Sequence, residues 1–137
     1  MPVLQFSASV RNSRLDQIET FIGTAPMFRI YSGAIPSSVS AANSGTLLAE
    51  AQLPSDWMGA AVSGSKQKAG TWQDASACAT GTAGYFRIYD TAGASTWIQG
   101  NVGATSSGCA LELDNTSITS GQQVTINTFT LTDGNAD

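Results

Sequence analysis

The chain has 137 residues and a formal charge of −4, with charged residues at only 12%, about half the usual share for a soluble domain. The acidic balance argues against electrostatic capture of nucleic acid, and no run approaches the roughly 18 apolar residues of a membrane span. Histidine is absent, which removes the Ser-His-Asp and Cys-His nucleophile systems and the commonest metal ligand together.

Apolar residues at 42%, with aromatics and β-branched residues spread throughout, predict a folded chain, and the length suits a single domain over 1–137. The start, "MPVLQFSASVRNSR", lacks the basic-then-apolar order of a secretory signal, so synthesis in a cytoplasm is expected.

The first predicted element is a helix over about 8–22. Val10, Leu15, Ile18 and Ile22 fall near one face, Ser7 or Ser9 can cap the start, and Gly23 can close the end. Arg11, Arg14, Asp16 and Glu19 read as its solvated side.

After Gly23 the pattern changes to two-residue alternation in short runs bounded by Gly, Ser, Asn, Asp and Pro. Strands are predicted at Met27–Ser32, Thr46–Leu53, Met58–Ser63, Gly70–Ala79, Tyr85–Tyr89, Thr96–Val102, Ala110–Leu113 and Gln123–Thr132, which suggests an all-β, two-sheet β-sandwich of jelly-roll type with one N-terminal α-helix. Leu47, Ala49, Ala51 and Leu53 alternate with Glu50 and Gln52, so Glu50, like Glu112 between Leu111 and Leu113, is expected to point outward. Val124 and Ile126 lie on the opposite parity to Phe129 and Leu131, which predicts a bulge near Asn127 and Thr128.

One short motif occurs twice: "GTAPMFRIY" (Gly23–Tyr31) and "GTAGYFRIY" (Gly81–Tyr89) agree at seven of nine positions. Within each copy Phe and Ile share one strand face, which makes Phe28, Ile30, Phe86 and Ile88 predicted core residues. The opposite face carries Arg29 and Tyr31 in one copy and Arg87 and Tyr89 in the other, an arrangement that suits guanidinium over aromatic rings at a surface. Two readings of the repeat stand: two equivalent core strands, or an outward face in which Arg29, Tyr31, Arg87, Tyr89 and Trp97 belong to a subunit contact.

Catalytic chemistry finds little footing. A glycosidase needs only two carboxylates, but Asp56, Asp74, Asp90, Asp114 and Asp133 lie in turn-like contexts, where Asp usually bonds local amides. No phosphate loop, dinucleotide fingerprint or metal-ligand spacing is present, so no cofactor is expected. Lys66 and Lys68 read as a solvated loop, and Cys78 and Cys109 as two separately buried, reduced thiols. Trp57, Trp72 and Trp97 could stack on sugars if exposed in a row, or pack in the core or an interface.

The FRIY strands, "GTLLAE" and "TAGYFRIYD", together with the leading helix and the terminal "TLTDGN", resemble small capsid cement or decoration proteins encoded among the head genes of tailed phages. The resemblance runs over nearly the whole length and rests most heavily on Leu47–Glu50 and Gly81–Asp90, which are fold-forming residues rather than a chemical signature. It implies a jelly-roll β-sandwich that forms homodimers and sits on the exterior of an HK97-fold capsid, bound to the major capsid protein and tying neighbouring capsomers together. It supplies no binding residues that transfer by position. Uncharged Ser, Thr and Ala surfaces, cheap to desolvate, suit such work, and the strand edges and the terminal segments "MPVLQF" and "TLTDGNAD" are candidates for main-chain pairing. The alternative is a tail- or fibre-associated carbohydrate-binding module.

Overall fold

A computed structural model of the chain describes residues 3–134. Helix α1 (Ala8–Ile22) begins where the Ser7 hydroxyl accepts the Val10 N–H at 3.3 Å, and it ends where Gly23, at φ 91°, donates its N–H to the Glu19 carbonyl at 2.9 Å. Ten strands follow: β1 (Met27–Ser32), β2 (Leu47–Gln52), β3 (Ser65–Gln67), β4 (Trp72–Asp74), β5 (Gly81–Tyr89), β6 (Thr96–Ala104), β7 (Leu111–Leu113), β8 (Ser117–Ile118), β9 (Val124–Ile126) and β10 (Thr130–Thr132). The described residues are therefore mostly β with one helix. A six-stranded sheet has the order β2-β1-β5-β6-β7, with β8 pairing the start of β5, and two short ladders join β10 to β3 and β4 to β9. All pairs are antiparallel except β6–β7.

The repeated motif pairs with itself. In the β1–β5 register Phe28 faces Ile88, Ile30 faces Phe86, Arg29 faces Arg87 and Tyr31 faces Tyr85, so the two copies lie side by side and antiparallel. The likeness is confined to FRIY, because Gly23 caps the helix in one copy whereas Gly81 already lies in β5 in the other. All four predicted apolar positions are buried, and Phe28 stacks on Phe86 at 5.3 Å. These two rings meet Trp72 and Phe129, so the core lies between the six-stranded sheet and the short ladders.

Several sequence expectations change in the fold. Met58–Ser63 makes only isolated bridges, because Ser63 (φ 52°) and Gly64 (φ 74°) form a two-residue reversal and the strand falls after it as β3. The run Gly70–Ala79 shrinks to β4: Asp74 Oδ1 accepts the Ser76 N–H at 3.0 Å and turns the chain away. Gln123–Thr132 is broken between Ile126 and Thr130 rather than bulged, since β9 and β10 serve different ladders while Phe129 still reaches the core. A register shift at Leu48 sends that side chain into the core and leaves Leu47 on the other face, beside the tyrosines.

The helix is rotated from its predicted face. It buries Leu15, Ile22 and Arg11, and leaves Val10, Ile18 and Phe21 exposed. Neither cysteine is buried: Cys78 is exposed and Cys109 half-buried, and both are free. Cys78 sits in the turn after β4, held by its backbone N–H to the Leu48 carbonyl at 2.8 Å.

Candidate functional site

Three clusters of side chains stand out, and the sequence pointed to one of them. On the polar face of β1 and β5, Arg29 lies 4.6 Å over the Tyr89 ring and its Nε donates to Glu50 at 2.5 Å, with Nη1 on the Gly93 carbonyl at 3.2 Å. Arg87 donates to Asn43 Oδ1 at 2.8 Å, Gln99 Oε1 at 2.9 Å and the Ser38 carbonyl at 3.2 Å. Tyr89 donates to Asn43, so the 2.6 Å contact between the two hydroxyls has Tyr31 as donor to Tyr89. Burial, with that bond, raises the Tyr31 phenol well above its ordinary pKa.

The expectation that this face looks outward is corrected here. Tyr31, Tyr85, Tyr89 and Arg87 are each no more than 5% exposed. The segment 33–46 lies across them: Tyr85 exchanges two bonds with Ser44, Arg87 holds Asn43 and Ser38, and Gln99 Nε2 donates to the Pro36 carbonyl at 3.0 Å. The loop comes close because Gly84 has no side chain; a Cβ there would stand 1.8 Å from the Gly33 carbonyl oxygen. Tyr31, Arg87 and Tyr89 therefore have almost no surface to offer a partner. Of the five residues named for an interface, Trp97 is exposed at 42%, and Arg29, on the same face as the other three, is half-buried.

A second cluster centres on Lys66, which was expected in a solvated loop and is buried, while Asp16 beside it stays half exposed. Lys66 is 1% exposed, and its ammonium meets Asp16 Oδ1 at 2.7 Å, Glu19 Oε1 at 2.8 Å and the Gly59 carbonyl at 2.7 Å. Three acceptors satisfy its three N–H bonds. The helix face carrying Asp16 and Glu19 is therefore tied to β3, and Arg11 is tied nearby through the Ser63 and Asp133 carbonyls.

The third cluster is apolar and open. Ile18, Phe21 and Ile22 of α1, Trp97 and Ile98 of β6 and Leu131 of β10 line a groove of about 410 Å³. Phe21 and Trp97 meet edge-to-face at 4.9 Å on its rim. The nearby charges Arg14 and Asp133 bond each other at 3.1 Å. The sequence named Trp97 and put Ile18 and Ile22 near one face of the helix, but it did not single out Phe21. Among the described residues no group of three or more His, Cys, Asp or Glu side chains could hold a metal, and no helix is long and apolar enough to cross a membrane.

Comparison with family models, with curated proteins and with solved structures finds no match for this chain.

Proposed function

We propose that this is a structural virion protein, a cement or decoration protein of a tailed phage that binds the exterior of an HK97-fold capsid through the major capsid protein. Its strands then form a jelly-roll β-sandwich, and it works as a homodimer. The observation that carries the reading is the apolar groove: the exposed side chains of Ile18, Phe21 and Trp97 line it together with Ile22, Ile98 and Leu131, and open apolar surfaces of that kind mark association sites. The β-rich fold with a single amino-terminal helix agrees with the resemblance in the FRIY and "GTLLAE" segments.

A carbohydrate-binding module is the weaker alternative. Trp57 and Trp72 are 0% exposed and the tyrosines lie under the 33–46 loop, so Trp97 stands without a neighbouring indole or phenol to extend a sugar platform. Mass spectrometry of purified particles, with heads and tails separated, tests the proposal. The protein is expected in the head fraction, in stoichiometric amounts; its presence in tails alone would favour the module, and its absence from particles would overturn both.

A further inference from the structure

We infer that Asn43 is a site of spontaneous deamidation, and that the carboxylate formed there gives Arg87 the counter-ion it lacks and fastens the 33–46 loop over β1 and β5. The inference is independent of the capsid reading.

Arg87 supplies the driving force. It is 2% exposed and faces a second guanidinium, Arg29, across the β1–β5 register. Arg29 has Glu50, but among the described residues no carboxylate pairs with Arg87. All its acceptors are neutral: Asn43 Oδ1, Gln99 Oε1 and the Ser38 carbonyl. A buried cation held only by neutral groups keeps a desolvation cost that an adjacent carboxylate offsets. Asn43 already aims its side-chain oxygen at the guanidinium, so exchanging its amide nitrogen for oxygen puts a negative charge there with no change of shape.

The same contacts favour the reaction. In "NSG" the Ser44 nitrogen gives up its proton and bonds to Asn43 Cγ, the Cγ–Nδ2 bond breaks and ammonia leaves, and water then opens the five-membered imide to a carboxylate. Negative charge develops on Asn43 Oδ1 as the ring closes, and two donors already meet that atom: Arg87 Nη1 at 2.8 Å and the Tyr89 hydroxyl at 3.1 Å. The Ser44 N–H donates to the Tyr85 oxygen at 2.9 Å, so an acceptor sits on the proton that must leave. None of residues 33–46 is buried, and Gly45 follows at φ 69°, which leaves the backbone the latitude that ring closure needs.

The chain carries its own control. Asn12 is also followed by a serine, but it lies inside α1, with its Oδ1 on the Gly64 N–H at 2.8 Å and no cation on that oxygen. Closing the ring there would require the helix to unwind.

The test incubates the full-length chain in mildly alkaline buffer, folded and in urea, and follows both asparagines by peptide mass mapping. In urea the two should convert alike. In the folded chain Asn43 is expected to convert at least about tenfold faster than Asn12. Asn43→Asp should slow hydrogen exchange across residues 34–45 by about three- to tenfold relative to wild type, and should bring no gain in an Arg87→Gln background. If circular dichroism shows that Arg87→Gln does not fold, the comparison of Asn43→Asp with wild type decides alone. An Asn43 that stays intact in the folded chain, or equal conversion of the two sites there, would overturn the assignment of the site. Loop exchange that is unchanged or faster in Asn43→Asp, or a gain that survives without Arg87, would overturn the counter-ion role.

Discussion

Arg29 and Arg87 occupy directly opposed positions on neighbouring strands, an arrangement of like charges that costs about 0.2–1 kcal/mol when nothing else intervenes. The fold separates their tasks. Arg29 turns to a carboxylate and to the Tyr89 ring, while Arg87 is enclosed by neutral oxygens of Asn43, Gln99 and Ser38. Phe28 and Phe86, on the other face, carry the packing. Truncating either to Ala should cost about 3–5 kcal/mol, read as a fall in the denaturant midpoint; a midpoint unchanged in both variants would refute their place in the core. The apolar half of FRIY was legible because alternation fixes which side chains share a face, and alternation is a local property. The polar half was not: an Arg and Tyr face reads as a surface unless a distant segment covers it, and the Ala- and Ser-rich loop 33–46 has no periodicity to announce that it will.

Lys66 makes the same point about charge. Burial alone would lower its pKa, but its bonds to Asp16 and Glu19 outweigh that and raise it, and the Lys66 ammonium, helped by the Ala61 N–H, holds the Asp16 carboxyl below the ordinary carboxylate range. Asp16 therefore contributes stability above its unfolded pKa and loses it as pH falls through its lower folded value. Lys66 contributes below its unfolded pKa and loses it as pH rises through its higher folded value, so the tie should hold steadily between about pH 5 and 9. The double variant Asp16→Asn, Glu19→Gln strands a buried ammonium and should be less stable at neutral pH by about 1.5–3 kcal/mol. Chemical denaturation across pH should show that difference shrinking below about pH 4; a difference that stays constant into acid would mean that the ion pairs contribute nothing.

At the scale of elements, α1 and the 33–46 loop are held in contrasting ways. The ends of α1 were readable from Ser7 and Gly23, since capping is local chemistry, but its rotation was not. Val10 and Ile18 made an apolar stripe in sequence, and the helix instead turned toward the carbonyls and lysine that claim Arg11, Asp16 and Glu19. Likewise the predicted strand Met58–Ser63 gave way to the Ser63–Gly64 reversal, whose positive φ at a serine no alternation pattern encodes. The loop depends on close approach to β5. Gly84→Ala puts a methyl where the Gly33 carbonyl now stands, so residues 34–45 should lose hydrogen-exchange protection and become the first site of proteolytic cleavage while β1 and β5 stay protected. Unchanged protection in the loop would show that it does not depend on that approach.

The whole molecule is a β-rich body closed over the polar face of β1 and β5, with one open apolar groove between α1 and β6. The chain has no histidine. In the fold, Asp74 and Asp90 bond the Ser76 and Ala94 amides, as expected of turn residues. The apolar groove could not be read in advance, because it is assembled from α1, β6 and Leu131, which are brought together only by folding. With six basic and ten acidic residues and no single-sign block, binding to a capsid should draw on apolar and main-chain contacts, since exposed ion pairs give only about 0–1 kcal/mol each. The most direct measurement is the amount of this protein retained on purified heads between low salt and about 0.5 M salt, where the Debye length has fallen to a few ångströms. The account predicts retention that changes little across that range; quantitative release by salt alone, with the protein emerging as a monomer, would contradict it.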